Sequence, residues 1–363
     1  MLSLTTASAA DYLTDRGLAA AHEPLTVREL AGGVSNVVLL VERPGGERLV
    51  LKQALPRLRV EQQWLCSIER IWREVEVLRL CGRLLQEGVR VQESGDRGQG
   101  AGDRGRFLVR VPEVLFEDRD NYCFAMTAAP TEHRTWKELL LAGHADAQIA
   151  QACGWLLGRL HADTWNDAEV ARLLDDRTFF RDLRISPYYD RIAEVHADLA
   201  IPIQQVTSAI WEHRRCLVHG DFSPKNLLVA DGELWLIDFE VGHFGDGAFD
   251  LGFFLTHLVL KTLVAGPRGA DYLALITTFR AAYDEELLPA AGAAGTAQLW
   301  QRTVGALSGC LLARVDGKSP VDYLTDPLAQ AVRRTARDLL RSPPRNFDEL
   351  LSRAIQAAQS VAR

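Results

Sequence analysis

The chain has 363 residues, 47% hydrophobic and 25% charged, with a formal net charge of -7. It is globular and long enough for two lobes, and its acidic balance gives no support for nucleic-acid binding. The best candidate for a membrane span, residues 251–264, is short and broken by His257 and Lys261, and no membrane association is expected.

The opening MLSLTTASAADYLTDRG lacks the basic start and apolar core of a signal peptide. Six scattered cysteines without a C-x-x-C pair favour reduced thiols, so a cytoplasmic protein is expected. The first 127 residues carry 17 basic and 18 acidic groups, against 24 and 30 in the remainder. That larger part is mildly acidic, which tolerates a cationic ligand without demanding one.

Residues 25–30, 37–43 and 47–51 read as strands, the last two joined by Pro44-Gly45-Gly46. Ala31-Gly32-Gly33-Val34-Ser35-Asn36 is then either a plain turn or one whose backbone amides approach phosphates. The next strand ends in Lys52, the only lysine among the first 136 residues. A compact ammonium suits a phosphate oxygen as a point charge, with a solvated surface lysine as the alternative. Residues 61–85 have helical spacing, with Leu65, Ile68, Trp72, Val75 and Leu78 on one side and Glu69, Glu74 and Glu76 as possible partners for Lys52. The glycine-rich stretch 92–106 reads as a flexible surface loop. Residues 107–111 and 122–127 read as strands, and Ala128-Ala129-Pro130 breaks the pattern. The boundary between an N-terminal lobe, 1–127, and a C-terminal lobe, 128–363, is placed there. Helices follow at 136–142 and 145–161, the second ending in His161, a packing or helix-end residue.

The stretch LVHGDFSPKNLLVADGELWLIDFE, residues 217–240, carries the chemistry. Asp231-Gly232 between two apolar runs predicts a two-residue hairpin. Pairing Ala230 with Glu233 puts Leu227 opposite Leu236 and Asn226 opposite Ile237, so Asp238 emerges beside Asn226. Asp221, five residues before Asn226, lies on a loop able to fold over that end. Carboxylate and amide oxygens are hard ligands suited to magnesium, and an Asp kept off the metal can accept a hydroxyl proton. That is the arrangement of a phosphoryl-transfer site; turn-capping Asp and Asn residues around an ordinary hairpin are the plain alternative.

The motif His219-Gly220-Asp221 with Asn226, then Asp238-Phe239-Glu240, resembles the catalytic and metal loops of protein kinases, and more closely those of the aminoglycoside phosphotransferase and choline kinase superfamily of small-molecule kinases. The resemblance implies an α+β, two-lobed protein-kinase-like fold, with a small N-terminal antiparallel sheet and a helix followed by a larger, mostly helical C-terminal lobe. It implies ATP and Mg2+ as cofactors, Asp221 as catalytic base, and Asn226 and Asp238 as metal ligands. Lys52 would orient phosphates, held by Glu74 because Arg73-Glu74 resembles the superfamily's R-E-x-x-x-L helix, with Glu76 still open. Gly33, Ser35 and Asn36 match its G-G-x-S-N turn, and adenine would meet the backbone near Met126 and Ala128. Asp250, in Gly245-Asp246-Gly247-Ala248-Phe249-Asp250-Leu251, would brace the catalytic loop through backbone hydrogen bonds, with His219 stabilising the same loop.

Three patches are similar to methylthioribose kinases: Leu51-Lys52-Gln53-Ala54-Leu55-Pro56 with Arg59-Val60 and Trp64, the GAFDLGFFLTHL segment from Gly247, and Leu312-Ala313-Arg314-Val315-Asp316-Gly317. The last resembles that family's substrate-binding paired arginines, although only Arg314 is present. Asn226 and Asp238-Phe239-Glu240 also depart from that family's pattern. Arg314, in a polar insertion after an apolar helix at 304–312, is a candidate to bind a substrate hydroxyl or phosphate, or to make a local salt bridge. Tyr188 is a candidate ligand wall or a packing residue. The expected function is transfer of the γ-phosphoryl group of a nucleotide to the hydroxyl of a small molecule: a sugar such as methylthioribose, an amino alcohol or an aminoglycoside. A catalytically silent nucleotide-binding or regulatory protein on the same fold is the alternative.

Overall fold

Alternation of apolar residues along short strands builds the N-terminal sheet. The computed structural model describes residues 2–30, 35–59, 66–85 and 107–359, the last three without side chains. The expected flexible loop at 92–106 and Gly33 lie outside the described residues.

Among the described residues, six strands precede the helical part: β1 (Thr26–Glu29), β2 (Asn36–Glu42), β3 (Arg48–Ala54), β4 (Leu108–Arg110), β5 (Val114–Asp118) and β6 (Cys123–Thr127). Five of them make an antiparallel sheet in the order β1-β2-β3-β6-β5. One face carries Leu39, Val41, Leu49 and Leu51 under a short helix, α1 (Ala9–Asp15), which buries Ala9, Tyr12 and Leu13 against them. The other face carries Leu40, Val50 and Ala54 and packs with α2 (Arg70–Leu84) in the main core. Lys52 has the parity of Val50 and Ala54, so β3 directs it toward α2.

The strand expected at 107–111 forms as β4, but it does not join this sheet. It pairs in parallel with the second strand of the predicted hairpin. Beyond β6 come β7 (Arg134–Thr135), β8 (Cys216–Val218), β9 (Leu227–Ala230), β10 (Glu233–Leu236) and β11 (His243–Gly245). The second sheet has the order β4-β10-β9-β7, and β8 and β11 form a separate antiparallel ribbon.

The rest is helical. Helix α3 (Trp136–Leu141) starts on a reciprocal capping box between Thr135 and Glu138. Helix α4 (Ala147–Asp163) packs against the long helical segment Gly269–Asp316, which breaks at Gly292 where φ is +67°. A Cβ on Gly154 would sit 2.2 Å from the Phe279 carbonyl oxygen, so only glycine allows that approach. Helix Ala248–Val264 is buried on every side through Thr262, which accounts for its near-continuous apolar sequence without a membrane. Among the described residues, no helix is long and apolar enough to cross one. All six cysteines are buried and free.

Candidate active site

The hairpin register is Ala230 opposite Glu233 and Leu227 opposite Leu236. The Ile237 N–H donates to the Asn226 carbonyl at 3.1 Å, which puts Asp238 at the end of the ladder beside Asn226. Gly232 turns the hairpin at φ +70°, and Asp238 itself adopts φ +72°, an uncommon conformation for a residue with a side chain. Such strain persists only where surrounding contacts hold it.

Those contacts come from the N-terminal part. Lys52 Nζ lies 2.8 Å from Asp238 Oδ1 and 2.7 Å from Glu74 Oε2. Glu76 points elsewhere, its carboxylate 3.8 Å from Arg73 and half exposed. Burial opposes the Lys52 ammonium, yet Asp238 and Glu74 outweigh it and hold its pKa above the usual lysine range. Burial pushes the Glu74 carboxyl up to about 7 against the pull of Lys52. Asp238 is held below the usual carboxylate range: burial opposes this, and Lys52 and Lys225 prevail.

Arg70 and Glu240, which have no assigned role in the sequence, complete this side. Arg70 lies one helical turn before Glu74 on the same face of α2, fully buried. Its Nε donates to Glu240 at 3.1 Å, and its Nη2 donates to the carbonyls of Ser35 and, at 2.9 Å, Leu55. Asn36 Nδ2 also donates to Glu240, at 2.9 Å, while its Oδ1 is buried without a partner. Ser35 and Asn36 are thus tied to the segment just after Asp238. The i, i+4 spacing of Arg70 and Glu74 was a readable signal for Arg70.

On the C-terminal side, Asp250 accepts hydrogen bonds from the backbone N–H groups of His219 at 2.7 Å and Gly220 at 2.8 Å. His161, buried, bonds Tyr283 and reaches Asp250. His219 Nδ1 accepts from the Asp221 N–H at 3.1 Å, and burial lowers the pKa of its ring. Gly220 has φ +76°, and a Cβ there would press on Val241 at 2.7 Å. The Asp221 carboxylate meets Arg184 at 2.9 Å, Lys225 at 2.8 Å and Asn226 Nδ2 at 2.9 Å. Burial raises its pKa, but Arg184 and Lys225 pull it below the usual range, so it is ionised at neutral pH.

Arg184 is a further functional candidate. It lies on a π-helical stretch, Arg181–Asp190, and also donates to the Gly220 carbonyl at 2.6 Å. Within this stretch the sequence offers Tyr188 as a ligand wall or a packing residue. Tyr188 in it is buried and lies under the Arg314 guanidinium at 5.3 Å. Arg314 was expected in a loop, but the helix runs on to Asp316 and Arg314 is buried within its last turn. Met126 is buried in β6 opposite Val50, and Ala128 follows the strand on the way to the helical part.

The donor set suits magnesium: hard carboxylate and amide oxygens from Asp238 and Asn226, with Asn226 oriented by its bond to Asp221. The carboxylates of Glu74, Asp238 and Glu240 also cluster, each offering an oxygen within 4.8 Å of the others. Lys52 occupies part of that cluster, which makes it an ion-pair centre first. A groove of 620 Å³ lined by Ile185, Tyr189, Ile203 and Trp211 includes none of Lys52, Asp221, Asn226 or Asp238.

The chain is 25% identical over 273 residues to the methylthioribose kinase of Cronobacter sakazakii, covering 68% of this chain and 62% of that one. It is 26% identical over 302 residues to that of Yersinia pseudotuberculosis, covering 74% and 68%. The chain thus spans about three fifths of the length of the first of these relatives. Among solved structures, the amicoumacin kinase hAmiN aligns over 88% of this chain and 89% of its own, with 16% identity and a TM-score of 0.49. Residues 26–305 match the model of the phosphotransferase enzyme family, and the chain belongs to that family.

Proposed function

We propose that the protein is a small-molecule kinase that moves the γ-phosphoryl group of ATP to a hydroxyl of its acceptor. The observation that carries this reading is the junction at Lys52, where one ammonium joins Glu74 of α2 to Asp238 beside the Asn226 and Asp221 loop. In this reading the chain divides at 127/128, and the nucleotide lies between the parts. Lys52, fixed by Glu74, orients phosphates; Ser35 and Asn36 flank them, and the backbone near Met126 and Ala128 meets the base.

Asn226 and Asp238 would hold magnesium, which supplies neutralisation of phosphate charge. Asp221 accepts the acceptor's proton. An aspartate of low pKa is a weak base, but a loose phosphoryl-transfer transition state needs the proton only late. Asp250 and His219 hold the loop, and Arg184 fixes Asp221 and Gly220 together. The curated relatives favour a sugar-like, hydroxyl-bearing acceptor.

The test is Asp221→Asn in a coupled assay of ATP consumption over sugars, amino alcohols and aminoglycosides. Acceptor-dependent turnover should fall by about 10³-fold or more while nucleotide binding stays intact. Unchanged turnover removes Asp221 from its role. Nucleotide binding without turnover on any acceptor favours the silent alternative.

A further inference from the structure

The chain is acidic overall, yet the surroundings of Arg314 are cationic. Helix Ala248–Val264 presents His257 and Lys261 one turn apart, both buried. Arg314 Nη2 lies 2.9 Å from His257 Nε2. Lys261 Nζ lies 3.5 Å from the Tyr323 hydroxyl and 4.8 Å from the centre of its ring, and Lys137 lies 5.9 Å from the same ring. The Lys137 backbone N–H donates to the Pro224 carbonyl at 2.9 Å, so the cluster adjoins the loop that carries Asp221. Arg184, which grips Asp221, and Arg314 both stack on the Phe253 ring, at 5.5 and 5.2 Å.

Charge compensation is uneven here. Arg184 and Lys225 share Asp221, and Lys137 has Asp322 at 3.7 Å, a carboxylate 82% exposed. Among the described residues, neither Arg314 nor Lys261 has a carboxylate partner. Arg314 is 7% exposed; its Nη1 donates to the Ser319 carbonyl at 2.8 Å, while its Nε is buried without any hydrogen-bond partner. A guanidinium does not shed its proton, and burying one without an opposite charge is unfavourable. The rings of Tyr188 and Phe253 offset part of that cost without neutralising the charge. The neighbours respond to the surplus of positive charge: burial, then Lys137 and Arg314, lowers Lys261 to about 7. Burial, then Arg314 and Lys261, holds His257 well below the usual histidine range.

We propose that the acceptor carries an anionic group, a carboxylate or a phosphate, which binds at Arg314 and Lys261 while its hydroxyl faces Asp221. The inference rests on the kinase reading and narrows it: amino alcohols and aminoglycosides, being cations, are repelled from this side of the site.

Isothermal titration of the full chain saturated with magnesium and AMP-PNP tests the proposal. The probes are gluconate, sorbitol and glucamine, which share a polyol chain and differ in charge, and glucose 6-phosphate against glucose. The anionic member of at least one set should bind about tenfold tighter than its neutral or cationic counterparts, and the set that shows this tells carboxylate from phosphate. Arg314→Met and Lys261→Met should each abolish the preference, and Arg314→Lys should keep part of it. If Arg314→Met does not fold, the other two variants decide. Equal binding of all probes, no binding up to tens of millimolar, or a preference that survives the substitutions overturns the proposal. Failure to bind AMP-PNP overturns the kinase reading and this inference with it, whereas bound nucleotide without anion preference overturns this inference alone.

Discussion

Replacing Lys52 with Met isolates the energetics of the ion-pair centre. The Glu74 side chain is fully buried, and its Oε2 lies 2.7 Å from the Lys52 ammonium. Removing one partner of such a pair leaves an uncompensated charge and costs about 3–5 kcal/mol. The loss here falls toward the upper end, because the Asp238 and Glu240 carboxylates remain within 4.8 Å of Glu74. At roughly 2 °C per kcal/mol for a chain of this length, Tm falls by about 6–10 °C. Glu74→Gln added to Lys52→Met removes the stranded charge and should recover about half of the loss, a coupling that a double-mutant cycle reads directly. The loss also depends on pH with a definite sign. Glu74 already has a folded pKa raised to about 7 in the presence of Lys52, and without Lys52 it rises further. A carboxyl raised in the fold contributes stability that is full below its unfolded pKa, near 4.5, and is lost as pH rises through the folded value. The destabilisation should therefore be larger at pH 8 than at pH 6. Thermal unfolding of the three variants without nucleotide measures both effects. A double variant no more stable than the single, or a loss independent of pH, refutes the account of Glu74 as a buried charge held by Lys52.

Arg184→Met should lower turnover about a hundredfold by loosening Asp221, and should move the acid limb of the kcat/KM profile to higher pH, because Asp221 loses the first of the two cations that depress its pKa; an unshifted acid limb assigns Arg184 to packing alone. Asp250→Ala strands the buried N–H groups of His219 and Gly220, at about 1–3 kcal/mol each by denaturant unfolding. Gly220→Ala forces a Cβ onto Val241 at a left-handed φ and should cost about 1–3 kcal/mol, again by unfolding, with turnover falling because the strain lies next to Asp221.

What could be read from the sequence was local. The Asp231-Gly232 turn dictates hairpin register, and register alone carries Asp238 to Asn226. Lys52 stood out through composition, and strand parity aims it at α2. Long-range pairing was not legible: nothing in Leu108–Arg110 says that its partner strand lies more than a hundred residues on, rather than in the neighbouring sheet. The short helix Ala9–Asp15 is too brief for periodicity to show, and its stability comes from the sheet beneath it. Arg184 was hidden for another reason: a π-helical stretch containing Pro187 does not follow the 3.6-residue period by which a helix face is read. Arg314 was misplaced because Gly317, Ser319 and Pro320 signalled a loop, and the helix ends only just before them.

The two halves of the site satisfy their charges in different ways, and the difference bears on how each works. Around Lys52, every buried charge has an opposite one within the protein: Glu74 and Asp238 on the lysine, Glu240 on Arg70. Around Asp221, Arg184 and Lys225 do the same. Such pairs hold their geometry before any ligand arrives, which is what a reaction dependent on positioning and charge neutralisation requires. They also cost desolvation that a well-packed apolar core would avoid. Arg314 and Lys261 break the pattern, since among the described residues neither has a carboxylate partner. Under the proposed reading, a site preformed for the nucleotide and left uncompensated toward the acceptor would gain its last counter-charge only when an acceptor of the right sign is present. That order of charge compensation would supply a means of choosing the substrate that shape alone does not.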